Sequence, residues 1–283
     1  MQPSDQFPDK WLARRSFEQA AVSYDKAAVL QQEVAQRLLQ RLELMKIAPQ
    51  RILDLGCGTG QSIPGLMARY RQAEVVALDI ALPMLARART RGRWLRKPRC
   101  VCGDAERLPF ADASFDLVFS NLMLQWCVDI EAAFGELQRV LRPGGLLLFT
   151  SFGPDTLREL RSSWASVDGY SHVNAFLDMH DVGDALVRTR FSDPVMDIER
   201  LTVTYPDLWQ LMRELKQIGA HNVTAGRPRG LTGKSQMQRL VQAYERYRCD
   251  GVLPASYEIV NGHAWRTQKC DTVSVPLNQL RRM

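Results

Sequence analysis

Short apolar runs alternate with amphipathic stretches through the middle of the chain, the pattern of a mostly parallel sheet covered by helices. The runs Arg51 to Leu55, Val75 to Asp79, Arg99 to Cys102, Phe115 to Ser120 and Leu146 to Ser151 predict five strands. Apolar residues recur at helical spacing over Ser62 to Tyr70, Pro83 to Arg91 and Ile130 to Leu141, the last stopped by Arg142, Pro143, Gly144 and Gly145. The alternation reads as five βα repeats. A helix over Phe176 to Thr189 leads to a β-branched extended run, Val195 to Thr204, and Tyr257 to Ala264 is the last strand expected.

Two segments fall outside this alternation. Residues 11–46 predict two helices, an aromatic-bearing one around Phe17 to Tyr24 and a longer one with Val29, Val34, Leu38, Leu42 and Met45 at helical spacing, expected to lie across the rim of the sheet. Residues 207–248 predict two more, Leu208 to Ile218 and Ser235 to Arg246, around a loop rich in glycine and basic residues and inserted between the last two strands. The expected organisation is one unit: a helical cap over 1–47, an α/β core over 48–206 and 251–266, and a basic helical insertion over 207–250.

Composition narrows the class. With 283 residues, 46% hydrophobic and 24% charged, the chain can bury a full core and is neither disordered nor fibrous. No run approaches the roughly 18 apolar residues of a spanning helix, and the start MQPSDQFPDKW lacks the basic and apolar regions of a secretory signal. A cytoplasmic protein is expected. Cysteines at 57, 100, 102, 127, 249 and 270 form no CxxC pair and no metal-ligand spacing, so reduced thiols and no metal are expected. The net charge of +6 is unevenly spread: residues 86–99 carry seven basic and no acidic side chains, and 208–248 carry eight against two. That imbalance suits either an acidic partner or a plain solvated face.

The sharpest chemical signal is ILDLGCGTG at 52–60, a strand running into a glycine turn that opens a helix. Glycines at 56, 58 and 60 permit a sharp turn and a close ligand, and the helix N-terminus behind them favours negative groups. Gln61 stands where the dinucleotide fingerprint requires its third glycine, which argues against NAD. Asp79 ends the second strand, placed to accept both hydroxyls of a ribose, and Gly103, Asp104 and Ala105 follow the third strand at the same edge. Together these loops fall where open α/β sheets bind nucleotide-like ligands.

These motifs resemble the class I S-adenosylmethionine-dependent methyltransferases. The resemblance rests on LDLGCGTG, LDI at 78–80, GDAERLPFADASFDLVFS from 103 and LRPGG at 141–145, and covers about 50–151. It implies an α/β, Rossmann-like sheet, here with N-terminal helices and a helical insertion before the last strand. It also implies S-adenosylmethionine as methyl donor. By position in the motifs, Asp54, Gly56, Gly58 and Gly60 would hold the methionine part, Asp79 the ribose, Met84 the adenine face, and Asp104 with Ala105 the adenine edge. Asn121, after the fourth strand, joins the cofactor contacts. Pro83 departs from the acid many members carry before that methionine. The run Ser120, Asn121, Leu122, Met123 is not the Asn/Asp-Pro-Pro-aromatic tetrad of amino-group methyltransferases, and no Pro-Cys dipeptide supports a covalent cytosine mechanism.

Outside that core, FEQAAVSYDKAAVLQ at 17–31, FGPDTLRELR at 152–161, HVNAFLDMHDVGDALV at 172–187, GAHNVTAGRPRGLTGK at 219–234 and YEIVNGHAW at 257–265 are similar to the malonyl-[acyl-carrier protein] O-methyltransferases of biotin synthesis. This resemblance implies esterification of the free carboxylate of malonyl-[acyl-carrier protein], or of malonyl coenzyme A. A carboxyl group of ordinary pKa, roughly 4, is already ionised at neutral pH and needs no general base. Arg158, Tyr24, His172 and Asn174 are candidate donors at the mouth of the site, Arg158 reading equally as a solvated helical residue, and Gln125 and Trp126 would lie toward the methyl. Lys216, Arg227, Arg229, Lys234 and Arg239 would steer and hold an acidic carrier. Nucleic acid and membrane are not expected as partners. Alternatives of another class are a methyltransferase-fold assembly factor and a methyltransferase of another small acid or of RNA.

Overall fold

Side chains alternate across the central strands, and that alternation builds two cores, one on each face of a single sheet. In the computed structural model the described residues are 8–268, apart from 93–95, 221, 225–229 and 231; Arg227, Arg229 and Cys270 therefore lie outside the described residues. Strands β1 (Arg51–Leu55), β2 (Glu74–Asp79), β3 (Arg99–Cys102), β4 (Phe115–Ser120) and β5 (Leu141–Phe152) run parallel. β7 (Leu253–Arg266) is antiparallel to both β5 and β6 (Phe191–Tyr205), giving the order β3-β2-β1-β4-β5-β7-β6. Strand order reverses between β1 and β4, and ligands bind such sheets at the C-terminal ends of the strands flanking that reversal.

Leu53, Leu55, Val76, Leu78, Leu147 and Phe149 face one side, where they bury helices α6 (Ile130–Val140) and α8 (Met179–Arg188). Ile52, Val75, Ala77, Leu117, Phe119, Leu146 and Leu148 face the other, against α3 (Val29–Arg41) and α4 (Ile63–Arg69). A third cluster joins β6 and β7 to α7 (Arg158–Ala165), α9 (Leu208–Gln217) and α10 (Lys234–Glu245), around Trp164, Tyr205, Leu211, Leu240, Tyr244 and Tyr257. The inserted helices between the last two strands are thus packed on the sheet's antiparallel end.

The elements follow the hydrophobic pattern closely, with three differences. The first predicted helix is two: α1 (Lys10–Ala20), capped by the Asp9 side chain on the amides of Trp11 and Leu12, and the single turn α2 (Tyr24–Ala27), after a break at 21–23. The connection from β3 to β4 carries no helix among its described residues, so the alternation is not five uniform βα units; α5 (Leu82–Ala88) packs on both β2 and β3 instead. Finally β5, β6 and β7 run past the predicted ends, because β6 and β7 pair from Phe191↔Arg266 to Tyr205↔Leu253 and each strand's backbone partners carry it beyond its apolar run. No helix among the described residues is long and apolar enough to cross a membrane.

Phe134 of α6 is fully buried, with Phe149 and Phe191 at ring-centroid distances of 5.8 and 6.3 Å. Phe134→Ala should lower unfolding free energy by about 3–5 kcal/mol, since the cavity is lined by rigid strand residues that cannot collapse into it. Denaturant unfolding would read this as a lower midpoint with an unchanged slope; a loss under about 1 kcal/mol would mean that the α6 interface is not a packed core.

Candidate active site

The site begins where β1 runs out. Gly56, Gly58 and Gly60 all have positive φ, at +67°, +52° and +79°. A Cβ on Gly56 would lie 2.0 Å from Met123 Cγ, and one on Gly60 would lie 2.7–2.9 Å from Ile63 and Ala88, so both the turn and its packing require glycine. The turn is braced from β2: Gly58 N donates to Asp79 Oδ2 at 2.8 Å and Ala81 N to Oδ1 at 2.9 Å. Asp79 is buried, and burial raises its pKa against the lowering effect of those amides. Beside it at the end of β1 is Asp54, also buried, whose Oδ2 meets no hydrogen-bond partner. Burial, and then the charge of Asp79, push the Asp54 carboxyl up to about 7.

After β4 the backbone takes another left-handed step at Leu122, φ +50°, held by its N–H donating to the Thr150 hydroxyl (3.0 Å) and carbonyl (3.1 Å). The Thr150 hydroxyl donates to Asn121 Oδ1 at 2.9 Å, and Asn121 Nδ2 donates to the Gln31 carbonyl at 3.1 Å, tying this loop to the start of α3. Gln125 Nε2 donates to the Leu122 carbonyl at 2.6 Å, which fixes the amide at the rim of the cavity.

The N-terminal helices close this edge. Lys10 of α1 reaches Asp104 Oδ2 at 2.6 Å and Glu106 at 2.8 Å in the loop after β3. Phe17 packs edge-on against Trp126 at 5.0 Å. From α2, Asp25 accepts from the Thr59 hydroxyl (2.5 Å), Gln61 (3.1 Å) and Arg91 (2.6 Å); burial opposes its ionisation, but these donors and the charges of Arg91 and Arg87 hold its pKa below the usual value. The Tyr24 phenol is pushed well above its ordinary pKa, by burial and then by the charges of Asp79 and Asp25, and therefore stays a neutral donor.

Tyr24, Gly56, Gly58, Asp79, Met84, Asp104, Ala105, Asn121, Gln125 and Trp126 line one cavity at the C-terminal edge of the sheet. Asp54 lines a recess that shares Tyr24, Gly56, Gly58 and Asn121 with it. Gly60 stands behind, against α5. Three predicted residues are elsewhere. Arg158, on the exposed start of α7, pairs with Glu159 at 3.2 Å. His172 lies flat on Trp164 at 3.6 Å, with Nε2 2.8 Å from Asp168, beside a separate groove. Asn174 is buried and spends Oδ1 on the Val223 amide, a contact that fastens the insertion's loop. The expectation of a shared mouth fails for these three because α7 and the segment after it pack on the antiparallel end. Sequence reasoning passed over Lys10, Phe17, Gln31, Phe152, Ile218 and Ala220, which also line the cavity. The signal for Phe17 was the aromatic-bearing helix before YDKA at 24–27, and for Gln31 its place at the start of the longer helix that follows; Lys10 carried none, being one basic residue in a polar stretch.

A methyltransferase domain model matches residues 53–149. A malonyl-[acyl-carrier protein] O-methyltransferase from Methylovorus sp. (strain MP688) is 51% identical over 266 residues, spanning 92% of this chain and 90% of that protein. The chain belongs to the malonyl-[acyl-carrier protein] O-methyltransferase family. Among solved structures, a putative methyltransferase from Bacillus halodurans superposes with a TM-score of 0.59 at 18% identity, covering 83% of this chain and 99% of that one. Haemonchus contortus phosphoethanolamine N-methyltransferase 2, solved in complex with S-adenosyl-L-methionine, gives a TM-score of 0.54 at 19% identity, covering 89% and 57%. Both show the class I methyltransferase fold, and the family members extend the match through the cap and the insertion.

In this family member the buried Asp54 carboxyl links folding to proton binding. Asp54 ionises near 4 in the unfolded chain and at about 7 when folded, so the folded state binds the extra proton between those values. The stability contributed by protonated Asp54 is complete below pH 4 and disappears as pH rises through 7. Thermal melting of the ligand-free protein from pH 5 to 8 should therefore show a falling Tm that is clearly blunted in Asp54→Asn. Identical slopes for the two proteins would exclude Asp54 as the source.

Proposed function

We propose that the protein transfers the methyl group of S-adenosylmethionine to the free carboxylate of a malonyl thioester carried by an acyl carrier protein, giving the methyl ester that opens pimeloyl and biotin synthesis. The observation that carries this reading is the 51% identity to a protein of that name across 92% of the chain, cap and insertion included. In this reading the α/β core holds the donor, and the cap over 1–47 and the insertion over 207–250 frame the acceptor.

The residues suit such a donor. The unpartnered, buried Asp54 oxygen calls for a cation or its water, and the glycine turn leaves a cradle that a Cβ would fill. Asp79, whose carboxylate accepts from the Gly58 and Ala81 amides, has lone pairs left for ribose hydroxyls, and Asp104 retains acceptor capacity beside Lys10 for an adenine amino group. Met84 is buried in the same wall. S-adenosylmethionine, when bound, supplies an electrophilic methyl on a sulfonium.

What remains for the chain is alignment of an acceptor already ionised. Lys10, a cation of the cavity wall, is occupied by two carboxylates, so neutral donors are left to meet the malonyl carboxylate: the Tyr24 phenol and the second N–H of Gln125. Neutral donors orient the oxygens without clamping them as a bidentate arginine would, which keeps the carboxylate nucleophilic. Phe152, Phe17 and Trp126 supply apolar wall, excluding water from the transfer.

The carrier's docking face would be the outer side of the insertion. On α9, Trp209, Arg213 and Lys216 share one exposed stripe while Leu208, Leu211 and Ile218 are buried, and Lys234 and Arg239 are exposed on α10. These four basic side chains make no ion pair with a described residue, and Ile218 and Ala220 at the end of α9 reach the cavity wall.

Incubating the protein with labelled S-adenosylmethionine and, in parallel, malonyl-carrier protein, malonyl coenzyme A, free malonate, RNA and carrier protein alone tests the reading. Label should enter the malonyl thioesters as a base-labile ester; label only in RNA or in protein would assign another acceptor. For docking, Arg213→Glu with Lys216→Glu should raise the Michaelis constant for malonyl-carrier protein by on the order of tenfold at low salt, with the effect shrinking as ionic strength rises. A short malonyl thioester with an uncharged thiol tail should be used equally well by both enzymes; equal losses on the two substrates would remove the stripe from docking.

A further inference from the structure

Helix α2 is a single turn of four residues, flanked by Ser23 and by Ala28 at φ −82°, ψ 46°. One turn fixes its backbone at a cost that its own hydrogen bonds do not recover. Its position must come from side chains, and Asp25 supplies them. Its Oδ1 accepts from the Thr59 hydroxyl at 2.5 Å and from Gln61 Nε2 at 3.1 Å, both in the glycine turn after β1. Its Oδ2 accepts from Arg91 at 2.6 Å and faces Arg87 at 3.5 Å, both from α5 and its C-terminal extension. Arg91 closes the ring by donating Nε to the Thr59 carbonyl at 3.0 Å. The Asp25 carbonyl also receives Gln32 Nε2 at 3.0 Å, tying the turn to α3.

Successive residues of a helix diverge by about 100°, so a turn anchored through Asp25 sends the neighbouring Tyr24 in a different direction. That direction is the cavity: Tyr24 lines it together with Gly58, whose Cα side lies in van der Waals range of the Tyr24 ring, an added Cβ falling 3.9 Å from Cε1. The Tyr24 ring packs against Ala20, Ala21, Ala81 and Met84 on one side and Ala27, Ala28 and Ile218 on the other, but among the described residues its hydroxyl has no hydrogen-bond partner. Apolar packing is not directional, so the polar anchor that fixes the turn, and with it the aim of the phenol, is Asp25.

We propose that Asp25 is a positioning residue for Tyr24: by tying α2 to the glycine turn and to α5 at once, it holds the phenol at the acceptor carboxylate. This rests on the reading of Tyr24 as a donor to that carboxylate. It gives the turn that receives the donor's methionine part a second task, since Thr59 and Gln61 also set the acceptor's hydrogen-bond donor. Occupancy of the turn by the methyl donor and alignment of the acceptor are thereby coupled through one carboxylate.

The test compares wild type, Asp25→Asn, Tyr24→Phe and the double variant on a short malonyl thioester with an uncharged thiol tail at saturating S-adenosylmethionine. Donor affinity by calorimetry and Tm accompany each. Asp25→Asn keeps acceptors for Thr59 and Gln61 but loses the charge that gathers Arg91 and Arg87. Each single variant should lower kcat about tenfold, and the double should be no more than about twofold worse than either, because both remove the same alignment. Donor affinity should change less than about threefold. Arg91→Gln, which loosens the anchor from the α5 side, should lower kcat in the wild-type background and have little effect in the Tyr24→Phe background. Losses that multiply in the double variant, or a loss confined to donor affinity with kcat unchanged, would overturn the proposal. An unchanged kcat in Tyr24→Phe would overturn its premise. Failure of wild type to methylate the malonyl thioester would instead overturn the substrate reading, and it is seen before any variant is compared.

Discussion

Two carboxylates buried at the ends of neighbouring parallel strands are the constraint around which this molecule is arranged. Asp54 and Asp79 stand side by side where β1 and β2 finish; burial raises the cost of ionising both, and the charge of Asp79 adds to it at Asp54. A fold tolerates such a pair only if something compensates it. The amides of Gly58 and Ala81 compensate Asp79 in part, and they do so because the glycine turn directs its N–H groups inward. Asp54 has no equivalent on its free oxygen. The unmet demand is for positive charge, and a sulfonium donor with an ammonium tail is a ligand that brings it. The cost of burying Asp54 without a partner and the affinity for a cationic ligand are the same electrostatic quantity seen from two sides.

The cap then decides what the edge of the sheet can do with that ligand. Segment 8–41 touches every loop that a donor would touch: Lys10 at the loop after β3, Phe17 at the turn after β4, Asp25 at the turn after β1, and Gln31 at Asn121. It is fastened on the far side as well, with Arg41 bidentate on Asp197 and Arg37 on Glu199 of β6. Exposed ion pairs are individually weak. Here they matter because they fix both ends of one segment, leaving its middle, with Phe17 and Tyr24, little freedom over the cavity.

Legibility in the sequence followed the range of the interaction that sets each feature. The five parallel strands and the helices between them were readable because alternation and 3.6-residue spacing are local, and β1, β3 and β4 begin and end where the apolar runs do. The placement of the glycine turn, Asp79 and Asp104 at one edge was readable because strand-end positions in such a sheet converge by topology, whereas Met84, on α5, was named through the family resemblance alone. The ends of β5, β6 and β7 were not, since those residues are held by partners far along the chain, as in Phe191↔Arg266 and Phe152↔Ile259. Lys10 pairs across 94 positions and left no local mark. Arg158, His172 and Asn174 misled for a related reason: their residue types suit recognition of a carboxylate, but the segment carrying them packs against Trp164 and the insertion, and chemistry without placement says little.

The insertion shows how one helix can serve two ranges of force. Hydrophobic contact is felt over a few ångströms, and α9 spends one face on it, burying Leu208, Leu211 and Ile218 and ending at the cavity wall. Unpaired charge acts over roughly a Debye length, about 8–10 Å at physiological salt, and the opposite face carries Arg213 and Lys216 beside Trp209, which is 48% exposed. Moving those cations into the cavity would bind a malonyl carboxylate more tightly and make it a poorer nucleophile, because ground-state binding of the attacking oxygens is lost at the transition state. On the proposed reading, keeping them on the outer face would let charge raise the rate of encounter with an acidic carrier while the reacting carboxylate met neutral donors. Steering would then be separated from chemistry by the two sides of a ten-residue helix.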